Sequence, residues 1–152
     1  MKEERLPGIP VEETERVGNF SVGDLVRRAL DARERAYTPY SGFAVGAALV
    51  TAQGEVFGGC NIENASFTPT NCAERTAIFK AVSEGYREFA AIVIVGGPEG
   101  KPPEDFCAPC GVCLQVMAEF CRPGFPVYLA KSQSEIRKLL LGELLPVKFD
   151  GL

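Results

Sequence analysis

The sequence predicts an α/β protein, a three-layer α/β/α sandwich around a central mixed β-sheet, from three features. FAVGAALVT (43–51) and GEVFGGCNI (54–62) are apolar, partly β-branched runs separated by a short AQG turn, so they read as two antiparallel strands. FAAIVIVGG (89–97) is an almost continuous apolar run, the mark of a strand covered on both faces. Segments of helical period alternate with strands through the second half of the chain, and the strands they connect are then parallel.

In order, residues 1 to about 20 are charged and punctuated by Pro and Gly, and read as an N-terminal arm. Residues 21–152 read as one domain, because a chain of 152 residues suits a single core. Ser21 is the expected N-cap of a helix carrying Val22, Leu25, Val26, Ala29 and Ala36 on one stripe, which Arg33 interrupts. That helix should end before TPYSG (38–42). After the two strands, ENASFTPTN (63–71) reads as loop and CAERTAIFKAVSEG (72–85) as helix, with Asn71 as N-cap and Glu74 at the third helical position. The strand at 89–97 leads into a polar, Pro-rich loop (98–109) and a helix at 110–121. FPVYLAK (125–131) reads as a further strand, and SEIRKLLL (134–141) as a short helix.

Composition narrows the function. The net charge is −4 and no dense Lys/Arg run occurs, which argues against a nucleic-acid partner and favours a small, weakly charged substrate. No apolar run reaches the roughly 18 residues of a membrane span. The N-terminus has no hydrophobic signal core, so a cytoplasmic location with no membrane partner is expected. In a reducing compartment the six cysteines are ligands, catalysts or buried apolar residues rather than disulfides. The chain has no histidine, so a metal site must use cysteine and a general base must be another residue type.

Cys110 and Cys113 form a CxxC pair after Pro109, at a helix start. By itself the pair fits a redox centre or half a zinc site. Cys72 lies at another helix start, and both helices follow strands of the same sheet, so three thiols can meet in its ligand crevice. Three protein ligands leave one position of a four-coordinate zinc for water, the arrangement of catalytic rather than structural sites. Cys107 is near the pair in sequence and is the candidate that could close the site, while Cys121 lies at the far end of its helix. Glu74, two residues beyond Cys72, can reach the space beside the metal, and a zinc-bound water with a pKa of about 7 needs such a proton acceptor. A capping role for Glu74 is the alternative at this stage.

CAERTA together with PCGVC resembles the zinc-dependent nucleoside deaminases, and more narrowly the small homotetrameric cytidine deaminases. The resemblance runs from about Leu25 to Phe149 and includes AYTPYSGFAVGAAL (36–49), GCNIENASF (59–67) and ELLP with a following Phe (143–149). It implies hydrolytic deamination of cytidine and 2′-deoxycytidine to the uridines with release of ammonia, in pyrimidine salvage. It implies one Zn²⁺ per subunit on Cys72, Cys110 and Cys113, with Glu74 as the catalytic proton shuttle. Asn61 and Glu63 would bond the ribose hydroxyls, Phe43 line the nucleoside pocket, and the backbone of Ala73 hold the base. Phe149 would stack on the base bound by a neighbouring subunit of a homotetramer, and Arg75 would bond the cysteine sulfurs. Where many relatives carry arginine directly after the CxxC pair, this chain has Leu114, which shifts charge neutralisation onto Arg75. The 98–109 loop and the arm are both longer than in many relatives. Deamination of a modified nucleoside or a nucleic-acid base, and a zinc-stabilised binding domain, remain the alternatives.

Overall fold

The computed structural model describes residues 7–151. In chain order the elements are β1 (Ile9–Val11), β2 (Arg16–Val17), β3 (Phe20–Ser21), α1 (Val22–Arg33), β4 (Phe43–Thr51), β5 (Val56–Cys60), α2 (Ala73–Ser83), β6 (Phe89–Pro98), α3 (Gly111–Phe120), β7 (Pro126–Ala130), β8 (Ile136–Leu140) and α4 (Leu141–Leu144). Six strands form one mixed sheet in the order β1-β8-β7-β6-β4-β5, and β2 and β3 pair as a small hairpin. β4 runs antiparallel to both β5 and β6, and β7 runs parallel to β6. β5, β6 and β7 therefore share a direction, as their connecting helices require.

Alternate residues of the strands face opposite layers. Ala48, Val50, Ala91, Val93, Val95, Tyr128 and Ala130 pack with Leu25, Val26 and Ala29 of α1. Ala47, Leu49, Ile92, Ile94, Val127 and Leu129 pack with Ala77 and Ile78 of α2 and Met117 of α3. The result is the three-layer α/β/α sandwich with a mixed central sheet.

α1 starts where its cap predicts, with Ser21 Oγ accepting from the Asp24 N–H at 3.1 Å. Its closing residue explains the break in the apolar stripe. Arg33 is buried, and its Nε donates to the Ala44 carbonyl at 2.9 Å. Its Nη2 donates to the carbonyls of Gly97 and Pro98 at 2.9 and 2.7 Å. One side chain thus ties the start of β4 to the end of β6. α1 lies so close to β4 that a Cβ on Gly46 would sit 2.0 Å from the Ala29 carbonyl oxygen.

Three local expectations are corrected, the first being Ala36, which was expected on the stripe of α1 but lies past its end at Arg33. Residues 136–140, expected within a helix, form β8, paired with β7 on one side and β1 on the other. Ile136 and Leu139, three apart, suggest one helical face, but they are buried on opposite faces of the sheet, with α1 and with α3 respectively. Leu, Arg and Lys favour helix intrinsically, and the ladder with β7 overrides that preference. Asn71 is not the cap of α2. It is held in a bridge with Ile62, and Cys72 occupies the cap position without a side-chain cap bond. Glu74 is therefore in the first turn but not at the third helical position.

The expected N-terminal arm is partly built into the fold. Residues 1–6 lie outside the described residues, but β1 pairs with β8 along the sheet edge. Glu15 accepts from the hydroxyl of the core residue Tyr128 at 2.6 Å and faces Lys138 Nζ at 3.4 Å.

Because β5 and β6 run the same way, the helices that follow them begin at the same end of the sheet. β4 enters from that end, with Phe43 opposite Pro98. α2 can approach because β5 carries glycine at 59, where a Cβ would meet the Ala73 carbonyl oxygen at 2.3 Å.

Replacing Arg33 by leucine removes its bonds to three buried or partly buried carbonyls. The expected cost is about 3 kcal/mol, from the worth of hydrogen bonds made by a charged group. Urea unfolding of Arg33→Leu checks it through a lowered midpoint at unchanged slope. A midpoint equal to that of the parent protein would show that the latch adds no stability.

Candidate active site

The caps of α2 and α3 are both cysteines, Cys72 and Cys110, and Cys113 lies one turn into α3. Among the described residues, Cys72, Cys110 and Cys113 are the group that could hold a metal ion, with all three Sγ atoms within 4.8 Å of one another. Sγ of Cys110 is 3.8 Å from that of Cys72 and 3.6 Å from that of Cys113. Tetrahedral zinc with Zn–S bonds of about 2.3 Å needs sulfurs about 3.8 Å apart, so the spacing fits the ion. Cys107, the candidate fourth ligand, is not in the group, and Cys60 and Cys121 are outside it as well. The donor set is three sulfurs with a fourth position left over.

The surroundings favour negative charge on sulfur. Two helix N-termini aim their positive ends at the thiols. Arg75 Nη2 donates to Cys72 Sγ at 3.2 Å. The Cys72 thiol is pushed down to about 5, first by its hydrogen bond with Cys113, with Arg75 adding to the effect against the opposing pull of burial. Cys113 is pushed up by the same bond and by burial. Leu114 is packed in the core between α3 and the sheet and contributes no charge.

Glu74 is 4 % exposed, unusual for a glutamate in a first helical turn. Burial, aided by the negative charge of Cys72, pushes its carboxyl up to about 7 against the pull of its own backbone N–H, Cys113 and Arg75. A carboxyl near 7 both accepts and returns a proton at neutral pH. Cys107 stands close by as a neutral thiol, pushed up to about 12 by burial and by the charges of Glu74 and Cys72. It packs over Gly96, where a Cβ would fall 2.8 Å from its Sγ and 3.2 Å from the Phe43 ring. Phe43, 41 % exposed, thereby stands at the rim of the same end of the sheet.

The remaining candidates are placed differently from one another. Ala73 is fully buried at the first position of α2. Asn61 is turned onto β4, with Oδ1 accepting from the Val45 N–H and Nδ2 donating to the Phe43 carbonyl, both at 2.9 Å. One amide hydrogen and one lone pair remain for a ligand. The Glu63 carboxylate accepts from the N–H groups of Tyr40 and Ser41 and from the Ser41 hydroxyl. Glu63, Tyr40, Ser41, Asn64, Phe67 and Thr70 line a largely apolar groove of about 490 Å³. Phe149 is held elsewhere. Its backbone pairs with the Gln115 side chain on α3, its ring is 68 % exposed, and it lines a separate groove with Gln115, Val116 and Glu119. The sequence assigned no role to Ser41, although TPYSG marked where the preceding helix should have ended.

The profile of the "Cytidine and deoxycytidylate deaminase zinc-binding region" matches residues 21–129. The chain belongs to this family. It is 48 % identical over 130 residues to a cytidine deaminase of Sporosarcina psychrophila, covering 86 % of this chain and 92 % of that protein. It is 51 % identical over 125 residues to a cytidine deaminase of Halalkalibacterium halodurans, covering 82 % and 91 %. The fold matches the crystal structure of cytidine deaminase from Burkholderia pseudomallei with a TM-score of 0.75 at 52 % identity, over 83 % of this chain and 97 % of that one. The zinc-binding family and the three-cysteine cluster together fit one zinc per chain. Among the described residues no helix is long and apolar enough to cross a membrane.

Arg75 is the cation bonded to a cluster sulfur, so its loss should weaken metal retention. Removal of a group that bonds a metal ligand typically costs about 10–100-fold in affinity. Arg75→Gln should lose zinc to a competing chelator within that range, while Arg27→Gln, paired with Asp24 on the exposed face of α1, should not. Unchanged retention in Arg75→Gln would show that the helix ends alone carry the charge.

Proposed function

We propose that the protein catalyses the hydrolytic deamination of cytidine and 2′-deoxycytidine to uridine and 2′-deoxyuridine, with release of ammonia. The observation that carries this reading is the buried Glu74 carboxyl beside three clustered thiols at the starts of two helices. Cys72, Cys110 and Cys113 would hold zinc, which when bound lowers the pKa of a water to about 7 and stabilises developing negative charge on oxygen.

The chain's own residues supply the rest. Glu74 takes a proton from the attacking water and delivers it to N3 of the pyrimidine as the C4–O bond forms. It then assists proton transfer to the amino group as the C4–N bond breaks, so water and cytidine balance uridine and ammonia. Arg75 holds Cys72 in its ionised form. Phe43 lines the pocket, the backbone of Ala73 holds the base, and Asn61 and Glu63 bond the sugar hydroxyls. A homotetramer with shared active sites is part of the same reading. Phe149, with its exposed ring, would reach the base bound in a neighbouring subunit. Residues 21–152 would be the catalytic unit, with 1–20 as an adjoining arm, working in cytoplasmic pyrimidine salvage.

Glu74→Gln keeps size and removes the titrating proton. It should fold and bind one zinc normally, while kcat for cytidine falls about 1,000-fold, within the range for loss of a general acid–base group. Loss of the absorbance of cytosine on conversion to uracil follows turnover, and metal analysis follows zinc. Near-parental turnover by a zinc-replete Glu74→Gln protein would remove Glu74 from the proton path.

A further inference from the structure

Glu63 is held by a clamp that the family resemblance does not assign. The turn after α1 brings residues 38–42 back over the loop that follows β5, and it closes with Gly42 at a φ of 65°. Glu63 Oε1 accepts from the backbone N–H groups of Tyr40 and Ser41 at 3.0 and 3.1 Å. Its Oε2 accepts from the Ser41 hydroxyl at 2.5 Å. The same hydroxyl oxygen accepts from the Phe43 N–H at 3.0 Å. Ser41 thus joins the carboxylate assigned to the sugar to the strand start that carries the aromatic wall.

The count of hydrogen bonds gives this arrangement a direction. An ionised carboxylate is an acceptor only, with about four lone-pair sites. Three are taken by residues 40 and 41. The remaining site can accept one more donor, and a sugar hydroxyl is a donor. The clamp also favours the ionised acceptor: the carboxyl of Glu63 lies below its ordinary range, first through the Ser41 hydroxyl and then through the Ser41 N–H, with the Tyr40 N–H contributing less.

We propose that Ser41 is a positioning residue for nucleoside recognition, fixing the rotamer of Glu63 so that its free lone pair meets a hydroxyl of the substrate's sugar ring. The inference rests on the reading of Glu63 as a sugar contact in a cytidine deaminase. Backbone donors alone hold one oxygen and leave the carboxylate free to rotate about it. The Ser41 hydroxyl holds the second oxygen and fixes the plane.

The test compares Ser41→Ala and Ser41→Thr on cytidine and on 2′,3′-dideoxycytidine, which lacks both ring hydroxyls. Ser41→Ala should lower kcat/KM for cytidine about 10-fold or more, the scale of one hydrogen bond to a charged group. The loss should fall mainly on KM. Ser41→Thr keeps the hydroxyl and should stay within about 3-fold of the parent, well under the tenfold step that 1.4 kcal/mol represents. With the dideoxy substrate, the ratio of parent to Ser41→Ala should be close to one, read from kcat/KM or from competitive inhibition constants. Equal losses on both substrates would overturn the proposal and assign Ser41 to the Phe43 side of the turn. Equal losses in Ser41→Ala and Ser41→Thr would overturn it as well. Absence of turnover of any cytosine nucleoside by the zinc-loaded parent would instead refute the deaminase reading itself.

Discussion

Three cysteine sulfurs held within 4.8 Å of one another would repel once ionised to hold a metal, and the charges placed around them offset that repulsion. At such spacing each pair costs about 4 kcal/mol at an effective dielectric of 20. Two helix N-termini offset roughly half a charge each. Arg75 adds one full positive charge at 3.2 Å from Cys72. With all three sulfurs ionised about one negative charge would be left, and a bound divalent cation would turn the balance positive, the sign that favours ionising a water. With no histidine in the chain, no neutral ligand shares the work.

The backbone meets this electrostatic demand through strand direction and small residues. β5 and β6 point the same way because each is antiparallel to β4 between them, so α2 and α3 must begin at one end of the sheet. Gly59 lets α2 lie directly on β5, and Gly96 makes room for Cys107 beside Phe43. Arg33 ties β4 to β6 at the same end through three carbonyls. Burial of Glu74 follows from this packing, and with it the raised carboxyl pKa that suits proton transfer.

Much of this was legible in the sequence where the signal is local. The apolar run at 89–97 and the hairpin at 43–62 announced the sheet, and CAER with PCGVC announced the clustered thiols. What was not legible depended on distant partners. SEIRKLLL carries helix-favouring residues at helical spacing, and only the ladder with β7 makes it a strand with Ile136 and Leu139 on opposite faces. Asn71 looked like a cap because its pairing with Ile62 is a contact across a loop. Arg33 looked like a flaw in an apolar stripe because its three acceptors lie on β4 and β6. Ser41 was visible only as part of the stretch that follows the first helix, since its partner Glu63 is 22 residues away.

A fourth position left open is the feature on which the proposed chemistry turns, and Cys107, outside the cluster, is the residue that would have to move to close it. X-ray absorption at the zinc edge of the purified protein counts the ligands directly. The expected spectrum has three sulfurs at about 2.3 Å and one lighter atom at about 2.0 Å. Four sulfurs, reduced to three in Cys107→Ala, would mean a closed structural centre and contradict the assignment of this site to catalysis.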